Sequence, residues 1–292
     1  MSAPITLTHR RKPQTRPNML SYKSMLVNFD IDGCVSNLAM FAERLAKDFD
    51  ARLMGLCAAE IPVPLDSADG MAFDPKIFQR QREDIERLFK VHEAQFRELV
   101  GTGPHVQWRA DIANPTRSLI GYAHETDLII TASPEGASIG NAYRSTDLGN
   151  LILNAGRPVL IAASGAERIR TDRILVAWKD TRESRRAVAD ALPLLCRADE
   201  VVIATIDPDA DTFTKGRLAN VASFLGRHGI NARTEIIRSK ADGDRISEFA
   251  RSIQADLVVC GAYGHSRFRE WIFGGVTRSL LNDDGLNRFM SN

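Results

Sequence analysis

No charge of one sign dominates this 292-residue chain, in which 38 basic side chains against 37 acidic ones leave a net charge of +1. Bulk electrostatics therefore steer it toward neither nucleic acid nor an anionic membrane surface. Cysteine is scarce: Cys34, Cys57, Cys196 and Cys260 are scattered, with no C-x-x-C pair and no histidine at ligand spacing. That excludes a disulfide framework or a cysteine metal centre, and predicts buried thiols in a reducing compartment, by default the cytoplasm. No apolar run approaches the ~18–20 residues of a transmembrane helix. The P-loop pattern G-x-x-x-x-G-K-[ST] is absent too. Met1–Asn18 carries Arg10, Arg11, Lys12 and Arg16 but no apolar core behind them. It is no secretory signal, and residues 1–21 are expected to form a disordered leader.

What is present is a folded-protein composition, 44% apolar and 26% charged, arranged twice. A shift of 129 residues lays Asp127-Leu-Ile-Ile-Thr-Ala132 over Asp256-Leu-Val-Val-Cys-Gly261 without a gap. A shift of 149 lays Met25-Leu-Val-Asn-Phe-Asp30 over Ile174-Leu-Val-Ala-Trp-Lys179. The first half thus carries about twenty extra residues, expected around Ile61–Ile77, and the chain is a tandem duplication. The boundaries predicted are 22–165 and 172–292, each a normal size for a domain with its own core.

Both halves alternate strand and helix patterns. In the second, Arg173–Trp178 is β-rich, and Ala187, Val188, Ala191, Leu192 and Leu195 then recur at helical spacing over Arg182–Leu195. Strands follow at Glu200–Ile206, Ala232–Arg238, Asp256–Cys260 and Leu286–Ser291, with helices at Phe213–His228, Asp242–Gln254 (capped by Asp242) and Gly274–Asn282. The first half predicts strands at Met25–Asp30, Arg52–Ala59, Val106–Ala110, Asp127–Ala132 and Pro158–Ala163. Its helices fall at Leu38–Phe49, Pro75–Val100, Pro115–His124 and within Arg144–Asn154. Runs such as Val201–Ala204 are continuously apolar, as parallel strands covered on both faces must be. The fold class predicted is α/β, two tandem Rossmann-like units, each a five-stranded parallel sheet flanked by helices. Ligands of such sheets bind beyond the carboxyl ends of the strands.

One stretch lies at such an end. Cys260-Gly261-Ala-Tyr-Gly264 is followed ten residues later by Gly274-Gly275-Val276. Glycines let backbone N–H groups approach an anion with no Cβ in the way, and the helix beginning near Val276 adds donors and a favourable dipole. The spacing resembles the G-2x-G-9x-G-(S/T) signature of nucleotide-binding universal stress proteins, with Gly275 standing where that family has Ser or Thr. The two repeats extend the resemblance over residues 22–292, as a tandem, UspA-like member.

The resemblance implies a Rossmann-like fold of the adenine nucleotide α-hydrolase type, whose last strands pair in a dimer or, here, an intramolecular pseudo-dimer, with a homodimer as the other assembly. It also implies a regulatory role in the stress response, no catalysis, and ATP as ligand. Carried over, Ala177, Lys179 and Asp180 lie near base and ribose, while Cys260, Gly261, Gly264, Gly274, Gly275 and Val276 follow the phosphates. Lys179 replaces the family's Asp and is a pure donor; adjacent Asp180 can serve only if the chain turns there. The first half has the reverse pattern. Asp30 and Thr146 match, but Ala132, Glu135 and Ser145 replace the glycines, and Glu135 would repel phosphate. It is expected not to bind.

Several residues admit two readings. His265, Arg267 and Arg269 either contact the outer phosphates or form a solvated face, and Tyr263 either stacks on the base or packs on the surface. Trp178 and Trp271 are packing groups. Arg80, Arg82, Arg87, Lys90 and Arg97 could form a nucleic-acid stripe, but interleaved Glu83, Asp84, Glu86, Glu93 and Glu98 make a salt-bridged solvent face the better account. An ATP-hydrolysing enzyme of the same fold would carry a Ser-Gly-Gly-rich loop after its first strand, where this chain has Asp30-Ile-Asp32-Gly33-Cys34 and Lys179-Asp180-Thr181-Arg182. A nucleotide-free dimeric scaffold is the remaining alternative.

Overall fold

The computed structural model describes residues 20–62, 75–133, 140–240, 244–262 and 275–292. Its centre is one ten-stranded sheet. The first half supplies β1 (Ser24–Asp30), β2 (Arg52–Ala58), β3 (Val106–Asp111), β4 (Leu128–Ala132) and β5 (Val159–Ala162). The second supplies β6 (Arg173–Ala177), β7 (Glu200–Ile206), β8 (Ala232–Ile237), β9 (Leu257–Gly261) and β10 (Arg288–Ser291). The strand order is β3-β2-β1-β4-β5-β10-β9-β6-β7-β8, a palindrome of the two halves. Every pairing is parallel except β5 with β10, which is antiparallel.

The duplication holds at the level of register. Ile129 faces Val159 and Val258 faces Arg288, so both members of the pair move by 129. Leu53 and Val201 are 148 apart, whereas their partners Val106 and Ala232 are 126 apart. The extra residues therefore lie between β2 and β3. Part of them lengthens α2 (Pro75–Val100), 26 residues against 16 in its counterpart α6 (Thr212–Arg227).

Helices α1 (Val35–Phe49) and α5 (Arg182–Leu195) cover one face with α2 and α6. Helices α3 (Pro115–Tyr122), α4 (Leu148–Asn154), α7 (Arg245–Ser252) and α8 (Gly275–Leu281) cover the other. Strand interiors such as Leu26, Ile129, Val202 and Val258 are fully buried, because both faces are roofed. Across the middle, the Tyr22 hydroxyl donates to the Asp190 carbonyl at 2.7 Å, and the Arg197 guanidinium lies 3.8 Å from the Phe49 ring centroid.

Several expectations change, and one falls outside the described residues. Cys34 is exposed and Cys196 half-buried, leaving Cys57 and Cys260 as the buried thiols. Asp242 lies outside the described residues, and Asp244 stands at the N-cap of α7 without a side-chain cap bond. The last strand begins at Arg288 rather than Leu286. Arg288 and Asn287, which interrupt an apolar pattern in the sequence, do not weaken that strand. Arg288 is fully buried, and Asn287 accepts from Ala163 N at 2.9 Å while donating to the Asp256 carbonyl at 2.9 Å. The charged face of α2 is ion-paired, with Arg82–Glu86, Arg87–Asp84 and Arg97–Glu93 at 2.8–2.9 Å.

Candidate functional site

In a half-sheet ordered 3-2-1-4-5, the crossovers leave in opposite directions from the first and fourth strands, which opens a crevice at their carboxyl ends. In the second half those strands are β6 and β9, and Ala177 pairs with Cys260 at the opening. Of the residues expected at a site, Ala177, Cys260 and Gly261 are thus brought together at the strand ends. Lys179 and Asp180 follow β6, and Gly275 and Val276 begin α8, Val276 half-buried against the second core layer. Gly264 and Gly274 lie outside the described residues, as do Tyr263, His265, Arg267, Arg269 and Trp271. Trp178 is buried, as a packing group should be.

The chain does turn after β6, since Thr181 N donates to the Lys179 carbonyl at 2.7 Å. This frees Asp180 from strand alternation, but its carboxylate meets Arg185 at 2.6 Å and Arg217 at 3.4 Å. Arg217 in turn lies 4.1 Å from the exposed Phe213 ring. Two guanidiniums therefore flank the crevice near Asp180, a feature no local motif announced.

Gly261 has a structural reason that the glycine spacing did not show. A Cβ there would lie 2.5 Å from the Glu183 carbonyl carbon, 2.8 Å from Ser184 Cα and closer still to Ser184 N. The first turn of α5, capped by Thr181 accepting from Ser184 N at 3.3 Å, presses directly on this Cα. Cys260 is inert chemically: burial pushes its thiol up to about 12. Among the described residues no group of three His, Cys, Asp or Glu side chains could hold a metal ion.

The equivalent crevice of the first half is filled by its own side chains. Buried Asn28 donates from Nδ2 to Thr131 Oγ1 and Thr146 Oγ1 at 3.1 Å, and to Asp30 Oδ1 at 3.3 Å. Asp32 and Arg144 clasp bidentately across the mouth at 2.6 and 2.7 Å. Among the described residues, a cleft of about 70 Å³ remains beside Asp30, Gly33, Cys34 and Ser133. Glu135 lies outside the described residues.

Burial pushes the Asp30 carboxyl from 3.8 up to about 6, against an opposing bond from Asn28. An acid raised on folding contributes stability that is complete below its unfolded value of 3.8 and lost as pH rises through about 6. His92, buried on α2 with Nε2 at 3.0 Å from the Ile31 carbonyl, is pushed down by burial and acts with opposite sign below its ordinary 6.5. Comparing Asp30→Asn with the parent isolates Asp30. The variant should melt higher at pH 7.5, and the gain should vanish by pH 4. A gain of equal size at both pH values would refute the assignment.

Two doubly wound half-sheets, roofed by helices on both faces, define a Rossmann-like α/β protein. Residues 170–283 match the Universal stress protein family. That match covers most of the second half, and the mirrored strand order makes the first half its likeness in fold. Among solved structures, a universal stress protein from Archaeoglobus fulgidus DSM 4304 is 18% identical with a TM-score of 0.63, covering 92% of this chain and 96% of its own. A putative universal stress protein from Pseudomonas aeruginosa UCBPP-PA14 is 17% identical with a TM-score of 0.55, covering 92% and 93%. The universal stress protein from Archaeoglobus fulgidus in complex with dAMP is 14% identical with a TM-score of 0.28, covering 49% of this chain and 98% of its own. No curated protein matches the sequence. Among the described residues no helix is long and apolar enough to cross a membrane.

Proposed function

We propose that the chain is a cytoplasmic regulatory protein of the stress response whose second unit, residues 172–292, binds one adenine nucleotide, with ATP the expected ligand. Ala177, Lys179 and Asp180 would face the nucleoside and Cys260, Gly261, Gly264, Gly274, Gly275 and Val276 the phosphates. The first unit, residues 22–165, would serve as its non-binding partner. The observation that carries this reading is the contrast between the crevices. Asn28, Thr131 and Thr146 close the first, whereas the corresponding positions of the second hold Ala177, Cys260 and Gly275, which offer no such network. A scaffold without nucleotide is the second reading, favoured by one observation: Asp180 already has two arginine partners that compete with a ribose for its carboxylate.

Equilibrium dialysis with ATP separates them. At most one equivalent should bind per chain, and Gly264→Glu, which copies Glu135, should abolish it. No Walker lysine or placed general base is evident, so turnover should fall far below the ~1–10³ s⁻¹ of ordinary enzymes. Two equivalent sites, or binding that survives Gly264→Glu, would defeat the nucleotide reading, and no binding at all would leave the scaffold.

A further inference from the structure

The two halves join at β5 and β10, where Arg288 faces Ile161, Phe289 faces Leu160 and Met290 faces Val159. Leu160 and Phe289 are themselves equivalent, being 129 apart, so a local two-fold axis passes between them. A seam built on such an axis would serve equally for pairing two copies of the same half. Three side chains break that equivalence: Arg288 stands where the first half has Val159, Asn287 where it has Pro158, and Ser133 where the second half has Ala262.

Arg288 has no exposed surface, and its acceptors are all neutral. Nη1 donates to the Leu280 and Leu281 carbonyls at 3.1 and 3.3 Å, at the carboxyl end of α8. Nη2 donates across the seam to Ser133 Oγ at 3.3 Å and the Ala162 carbonyl at 3.4 Å. A single buried cation is tolerable with such partners and a helix C-terminus beside it. Two are not. If β10 paired with the β10 of a second chain, Arg288 would face Met290 of that chain. The two guanidiniums would then be diagonal neighbours on one face of the sheet, ~7–8 Å apart along the backbone. Each would also exchange the Ser133 hydroxyl for the methyl of Ala262. Asp283 and Asp284 lie close enough to favour each charge, but neither contacts the guanidinium, so two buried like charges still repel and keep most of their desolvation cost. The opposite pairing, β5 with β5, puts Pro158 where Asn287 stands and removes the acceptor that Asn287 Oδ1 gives to Ala163 N.

We infer that the seam is a heterologous interface, in which Arg288 makes the second half reject a copy of itself and accept the first half alone. β10 therefore pairs with a β5, the nearest being that of its own chain, and not with the β10 of another chain. The rule predicted is one arginine per seam, on either half.

Refolding the full chain from denaturant over a wide concentration range, then measuring mass by light scattering, tests it. The parent should return at single-chain mass. Arg288→Val, which copies Val159, should show a chain-to-chain dimer fraction at least about tenfold larger, rising with concentration. Val159→Arg places an arginine on both halves and should lower the melting temperature sharply. Val159→Arg combined with Arg288→Val should restore folding at single-chain mass, the carbonyls of Leu151 and Ile152 at the end of α4 standing 129 residues before those of Leu280 and Leu281. The double variant decides the matter if Arg288→Val alone fails to fold. A dimeric parent, an Arg288→Val protein as monomeric as the parent, a Val159→Arg protein that melts with the parent, or a double variant no better than Val159→Arg would each overturn the inference.

Discussion

Deleting Leu286–Asn292 should convert the protein from a single-chain particle into one that aggregates or self-associates. The segment contains all of β10, with Phe289 and Met290 fully buried, and Leu286 just before it, nearly so. Those three side chains account for roughly 4.5–9 kcal/mol of burial at about 1.5–3 kcal/mol each. A whole domain is stable by only about 5–15 kcal/mol. The loss is topological as well. β10 is hydrogen-bonded to β5 on one side and β9 on the other, so its removal leaves two apolar strand edges facing a gap. Val159-Leu160-Ile161-Ala162 is an unguarded edge with no charge, no proline and no bulge, the kind that recruits another strand. Light scattering and a thermal melt check the outcome. A soluble protein of unchanged mass and melting temperature would show that β10 is not the seam.

Elements with unbroken periodicity were legible in the sequence to the residue. Pro75–Val100, Arg182–Leu195 and Glu200–Ile206 have in the structure the bounds their patterns predict. The duplication was legible too, because equal offsets in sequence became equal registers in the sheet. Strands lost a residue or two at their ends wherever the chain turned early, as at Trp178 after Ala177. Contacts between distant segments were not legible. Asn28 sits in a strand pattern like any half-buried polar residue, and nothing local says that its amide reaches residues more than a hundred positions away. Arg288 interrupts the apolar pattern of the last strand, and hydropathy alone would assign an arginine to solvent. Its burial depends on Ser133, Ala162 and the end of α8 converging on one point. The clasp of Asp180 is likewise set by where α5 and α6 place Arg185 and Arg217, not by the motif around Asp180.

Replacing Gly261 with alanine should destabilise the protein whether or not a nucleotide is present. Overpacking a core position commonly costs about 1–3 kcal/mol, and more where the neighbour cannot yield. Here the neighbours are backbone atoms of Glu183 and Ser184 at the first turn of α5, so relief requires moving a 14-residue helix. The duplication contains its own control. The equivalent residue of the first half is Ala132, which already carries a Cβ, and α1 packs far more lightly on β4 than α5 does on β9. Ala132→Gly should therefore cost only what added chain freedom costs, about 0.5–1 kcal/mol. Urea unfolding of the two variants without ligand separates packing from recognition. If Gly261→Ala unfolds at the parent's midpoint and loses only nucleotide affinity, the glycine is there for the phosphates. If its midpoint falls by an amount matching several kcal/mol while Ala132→Gly hardly moves, the glycine's first duty is to let α5 close on β9. In that case the same close approach brings the amino end of α5, with Thr181 at its cap, to the rim of the crevice.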